Sequence, residues 1–100
     1  MTPTPTHHAR RRMNQRLRGG DYRHRARDAW IYGLRPGEAV GDLRRYMIGK
    51  TVGRPDAAVR LYRGTIYIYN STGRTLITVY PVPPELQQAA REQEERRATS

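Results

Sequence analysis

A chain of 100 residues with nineteen basic side chains against nine acidic ones carries a formal net charge of +10. That length supports one domain, the absence of cysteine excludes disulfide staples and thiolate metal sites, and no apolar run approaches the roughly 18 residues of a membrane span. Eighteen of the basic residues are arginines, and residues 1–50 hold twelve Lys/Arg against four Asp/Glu, so the charge is loaded forward. Arginine's planar fork matches phosphate geometry. A soluble, cytoplasmic protein facing a polyanion, foremost RNA, is expected.

Residues 1–6 alternate Thr with Pro and are expected to be a disordered lead-in. Residues 8–18 contain no Gly or Pro and predict a helix. Ala9, Met13 and Leu17 make its thin apolar stripe, and His8, Arg12 and Arg16 form an adjacent ridge. Gly19-Gly20-Asp21 breaks it and offers a cap to a second helix over 22–34, with Ala26, Ala29 and Trp30 on one side. A third helix is predicted over 36–48, with Pro36 at its start and Val40, Leu43, Tyr46 and Met47 at core spacing. Gly49 closes it, and a loop follows.

The period then changes from near 3.6 to 2. Residues 58–62, 65–70 and 75–80 are rich in Val, Ile, Thr and Tyr and read as strands, joined by turns at 63–64 and 71–74. The fold class is α+β: two or three N-terminal helices packed on a small antiparallel β-meander of three or four strands, forming one domain over 7–84. Residues 85–100 read as a charged tail or surface helix, whose apolar content is Leu86, Ala89 and Ala90.

Three constellations carry chemistry. Metal-free RNA cleavage needs a group to take the 2′-hydroxyl proton, one to protonate the leaving oxygen, and cations for the developing charge. His8 flanked by Arg12 and Arg16 has those groups at helical spacing; the plainer reading is solvated surface. Tyr22-Arg23-His24-Arg25, with Arg27, could hold a second general acid or stack a base, and reads more plainly as a basic patch that adds affinity without specificity; Arg11 joins the residues expected to bind nucleic acid. Arg60, Tyr62, Arg63, Tyr67, Tyr69 and Tyr80 interleave aromatic and basic side chains on the strands, as a nucleotide platform does. Because Phe is absent, some of these rings must serve the core. Arg60 with Tyr62, and Thr78 with Tyr80, share strand faces and would line one groove if the register matched. No carboxylate cluster, Gly-rich phosphate loop or metal motif is present, so no metal and no cofactor is expected.

The opening Thr6-His7-His8-Ala9-Arg10-Arg11-Arg12-Met13-Asn14-Gln15-Arg16 and the closing Leu76-Ile77-Thr78-Val79-Tyr80 resemble a small bacterial and phage family. Its layout is similar to RelE-type toxins, metal-independent ribonucleases with a helix-then-antiparallel-sheet fold. The resemblance covers residues 6–18 and 56–82 and implies one site made of His8, Arg12, Arg16, Thr78 and Tyr80; Arg60, from the strand constellation, is a further candidate to stabilise the transition state. It implies an endoribonuclease, toxin-like, that leaves a 2′,3′-cyclic phosphate. The partners implied are RNA, ribosome- or tRNA-associated, and an acidic protein partner or antitoxin. The stretch 19–34 departs from the family pattern and brings its own His24, leaving open which histidine is functional. The alternative is a non-catalytic basic nucleic-acid-binding module, or a phage-type protein that docks on a host enzyme.

Overall fold

The computed structural model describes residues 4–16 and 22–99. Strands β1 (Thr4–Pro5), β2 (Ala57–Tyr62), β3 (Thr65–Asn70) and β4 (Thr75–Pro81) form one sheet in the order β1–β4–β3–β2. The last three are the expected antiparallel meander. Arg63 and Gly64 both take positive φ, 50° and 76°, which gives the two-residue β2–β3 turn the twist that flanking strands require. The pairing of β3 with β4 slips by one residue between Ile68 and Tyr69, a bulge that bends the sheet.

Of the lead-in over 1–6, residues 1–3 lie outside the described residues, and Thr4–Pro5 form a short strand. β1 pairs in parallel with β4, Thr4 opposite Thr75 and Pro5 opposite Leu76. Pro is tolerated there because β1 is the sheet edge and the missing N–H costs no ladder bond. Thr6 then fixes the next element: its hydroxyl donates to the Ile77 carbonyl at 2.8 Å and accepts from the Ala9 N–H at 3.1 Å. That is a helix N-cap, and α1 (His7–Arg16) follows.

Helices cover both faces of the sheet. On one face, α1 and α2 (Tyr22–Tyr32) place Ala9, Ala26 and Ala29 against Tyr67, Tyr69, Leu76 and Val79. Alanine at each contact lets the helix backbones lie close to the tyrosine rings. On the other, α3 (Gly41–Gly49) and α4 (Gln87–Thr99) bury Leu43, Met47 and Ala90 against Val59, Leu61, Ile66 and Ile68. The helix expected over 36–48 is split. Pro36–Glu38 forms a separate 3₁₀ turn, and Ala39 and Val40 are extended. Gln93 explains the break: its side-chain amide accepts from the Val40 N–H at 2.9 Å and donates to the Val40 carbonyl at 3.4 Å, as a neighbouring strand would. Val40, expected in the core, is exposed.

The charged segment after residue 84 belongs to the domain, since Ala90 is 1 % exposed. Its anchorage is mostly polar. Glu94 accepts from the Arg63 and Gly64 N–H groups at 2.6 and 3.2 Å, clamping the β2–β3 turn. Arg97 reaches Glu38 at 2.8 Å and donates to the Tyr32 carbonyl. The Glu38 pKa is lowered, first by the Arg35 N–H it accepts and then, against some desolvation, by Arg97. A lowered folded pKa stabilises above the unfolded value and is lost as pH falls through the folded one. As pH falls below the 4.5 of an ordinary glutamate, amide protection factors in residues 87–99, corrected for intrinsic rates, should therefore drop before those of the sheet. Glu38→Gln should remove that pH-dependent component while leaving exchange at neutral pH slightly faster.

Candidate nucleic-acid interface

The ladder decides which predicted site residues can meet. Residues directly opposite one another project to the same face of a sheet. Arg60 lies opposite Tyr67, and Tyr67 opposite Val79, so all three face α1 and α2. Val59 lies opposite Ile68, Ile68 opposite Thr78, and Ile66 opposite Tyr80, all facing α3 and α4. Arg60 with Tyr62 and Thr78 with Tyr80 are therefore on opposite sides of the sheet. The common groove expected from sequence does not form.

The individual residues explain why. The Thr78 side chain is 3 % exposed, and its Oγ is buried without a hydrogen-bond partner among the described residues. Tyr80 packs against the aliphatic core, with Lys50 Nζ 4.3 Å from its ring centroid and 4.9 Å from that of Tyr46. His8 is exposed on the first turn of α1, in the other helical layer. The backbones of Arg12 and Arg16 continue α1, and Tyr22 and Arg23 begin α2; the side chains of all four lie outside what the structure describes. Arg60 is 8 % exposed and already engaged. Its Nε donates to the Trp30 carbonyl at 3.2 Å, Nη1 donates to the Val59 carbonyl at 2.9 Å, and Cζ sits 4.1 Å from the Trp30 ring centroid. Burial, then the charge of Arg35, lowers its pKa. Arg60 is a packing residue that covers the open edge of β2.

The aromatic platform is interior as well. Tyr69 is fully buried, donates to the Ala26 carbonyl at 2.6 Å and meets Trp30 edge-on at 5.0 Å. Desolvation raises its pKa strongly. Tyr67 stacks beside it at 6.3 Å. With no Phe in the chain, tyrosine does the work of a core aromatic.

Basic residues concentrate in the part of the chain that supplies α1 and α2. The stretch 7–32, which supplies α1 and α2, contains eight arginines and two aspartates. The opposite helical layer, from 35–56 and 82–100, contains eight basic residues and seven carboxylates. Arg10 and Arg11 are exposed on α1, as is His24 on α2. Among the described residues no carboxylate oxygen lies within 4 Å of Arg10, Arg11, Arg25 or Arg63. A pocket of about 160 Å³ opens between α2 and the β2–β3 turn, lined by Arg25, Asp28, Tyr62, Arg63, Thr65 and Tyr67.

No protein-family model, curated protein or solved structure matches this chain. The resemblance to RelE-type toxins thus rests on its two short motifs. Of the residues the sequence suggests for binding, Arg25, Arg63 and Tyr67 line this one pocket. Asp28 and Thr65 were missed, although Thr65 follows the Arg-Gly turn directly and so must sit opposite Tyr62. Among the described residues there is no cluster of three or more His, Asp or Glu side chains able to hold a metal ion, and no helix long and apolar enough to cross a membrane.

Proposed function

We propose that this chain is a non-catalytic RNA-binding module whose α1–α2 layer is the contact surface. The observation that supports it is the segregation of charge along the chain: the stretch that supplies α1 and α2 holds eight arginines and two aspartates, while the stretches that supply α3 and α4 hold eight basic residues and seven carboxylates. Solubility alone would not require that asymmetry, whereas a phosphate backbone rewards it. The ribonuclease alternative needs His8 and the Thr78 and Tyr80 hydroxyls around one phosphate, whereas His8 lies on α1 and Thr78 and Tyr80 face α3 and α4 across the sheet.

Fluorescence anisotropy with a labelled single-stranded oligoribonucleotide in EDTA tests the reading. Engagement of about five phosphates gives a log–log salt slope near −3.5, so affinity should fall roughly a hundredfold between 50 and 200 mM salt. The RNA should be recovered intact. Cleavage in EDTA that disappears in His8→Ala would restore the toxin-like nuclease. Tight binding to a folded protein partner, with none to RNA, would favour the docking alternative instead.

A further inference from the structure

We propose that the pocket beneath α2 is a binding site for a single phosphate group, held by the guanidinium groups of Arg25 and Arg63 and by the Tyr67 hydroxyl. The proposal deepens the RNA reading and rests on it for the source of the phosphate, but not for the chemistry of the site.

Three separate elements supply the lining: Arg25 and Asp28 from α2, Tyr62 from the end of β2 with Arg63 from the turn, and Thr65 and Tyr67 from β3. A pocket of about 160 Å³ has room for roughly five water molecules, which is space enough for a phosphate. Neither arginine has a carboxylate within 4 Å among the described residues, so both guanidinium groups remain available. Asp28 is the one acid in the lining, and it is drawn on by Arg27 at 3.5 Å, a cation outside the pocket. The local balance therefore stays positive.

Tyr67 gives the site a neutral donor. Burial is the main cause that pushes its pKa up to about 12, with Arg25 and Arg63 pulling the other way. The phenol keeps its proton throughout the physiological range and can donate it in a hydrogen bond to an anion. The same side chain lines the pocket together with both arginines and Asp28.

Arg63 is also held in place. Its guanidinium lies 5.3 Å from the Tyr62 ring centroid, a contact that restricts the side chain. Its backbone is clamped from the far side by Glu94, which takes up the two turn N–H groups. Glu94 thus satisfies the turn amides from the α4 side. Beside α4, a groove of about 380 Å³ is lined by Glu94 and Glu95 against Arg97 alone, a balance that disfavours an anion. A groove of about 350 Å³ is lined by Arg63, Arg91 and Glu94, the same charge balance as the pocket beneath α2 but without a phenol donor.

The test is a titration of inorganic phosphate into the full ¹⁵N-labelled chain, with chloride at matched ionic strength as control. Saturable amide shifts confined to residues 62–67 and the adjoining turn of α2 are expected with phosphate and not with chloride. Arg63→Gln and Tyr67→Phe should each weaken phosphate binding at least fivefold. Tyr67→Phe removes one oxygen and keeps the ring, so its thermal melt should match that of the parent chain. Arg44→Gln with Arg45→Gln, on α3, should leave phosphate affinity within twofold. Displacement of phosphate by oligoribonucleotide identifies RNA as the source. Saturable phosphate binding without any RNA binding keeps the pocket, assigns it to a small phosphorylated ligand and ends the RNA reading. RNA binding without saturable phosphate shifts at 62–67, or shifts indifferent to both variants, overturns the pocket and spares the RNA reading.

Discussion

Replacing Gly73 with alanine should cost about 3–4 kcal/mol, a large share of the roughly 5–15 kcal/mol that hold a domain of this size together. Two separate penalties combine. Gly73 has φ of +75°, a conformation that a β-carbon disfavours by roughly 1–2 kcal/mol. An added Cβ would also lie 2.6 Å from Trp30 Cδ2, and closer still to Cε2 and Cζ2. The indole has nowhere to retreat, because Arg60 stacks on it and Tyr69 meets its edge. Overpacking of this kind typically adds about 1–3 kcal/mol. At several degrees per kcal/mol, Tm should fall by roughly 15 °C. Gly37→Ala is the matched control, since a Cβ there meets nothing within 4 Å, and its melting temperature should stay within about 2 °C. Combining Gly73→Ala with Trp30→Leu should be less damaging than the two losses summed, because the clash disappears. Strict additivity of the pair would mean that the indole does not rest on Gly73.

The same cluster shows where sequence reading stopped. Strand limits were legible because period-2 alternation and the Arg-Gly and Ser-Thr-Gly-Arg breaks are local signals: β3 was placed at its observed ends, and β2 and β4 each gained one residue. Alternation also assigned Arg60 and Tyr62 to one face of β2, and Thr78 and Tyr80 to one face of β4. It cannot say whether those faces coincide. That depends on the parity of two pairings, Tyr62 opposite Thr65 and Ile66 opposite Tyr80, and a one-residue slip in either would exchange the faces. The bulge near Tyr69 belongs to the same class of fact. Tertiary ties to distant residues were equally hidden. Thr6 anchors to Ile77 across 71 residues, and Gln93 to Val40 across 53; neither partner announces the other. The segment beyond residue 84 read as a meagre surface helix because its apolar content is thin. Its hold on the domain comes instead from Gln93, Glu94 and Arg97, which local periodicity counts as solvent-facing.

Charge placement, unlike register, follows once the layers are known, and it gives the second large expected effect. Two triple variants remove the same charge from different layers. Arg10→Glu, Arg11→Glu and Arg25→Glu alter the α1–α2 side; Arg44→Glu, Arg45→Glu and Arg91→Glu alter α3 and α4. Both lower the formal net charge from +10 by six. If binding responded to net charge alone, the two would lose RNA affinity equally. A contact surface on the α1–α2 layer predicts otherwise. Loss of three phosphate contacts at about 150 mM salt, with a slope of roughly 0.7 per contact, removes about fiftyfold in affinity, and the reversed charges bring the loss to the order of a hundredfold. The α3–α4 triple should stay within about fivefold, reflecting only the long-range field, which is screened beyond about 8 Å. The log–log salt slope should also shrink by about two for the first triple and hardly change for the second. None of Arg10, Arg11 and Arg25 lies within 4 Å of a carboxylate among the described residues, so these changes break no ion pair there. Equal losses from both triples would reduce the basic layer to one part of a generally cationic surface.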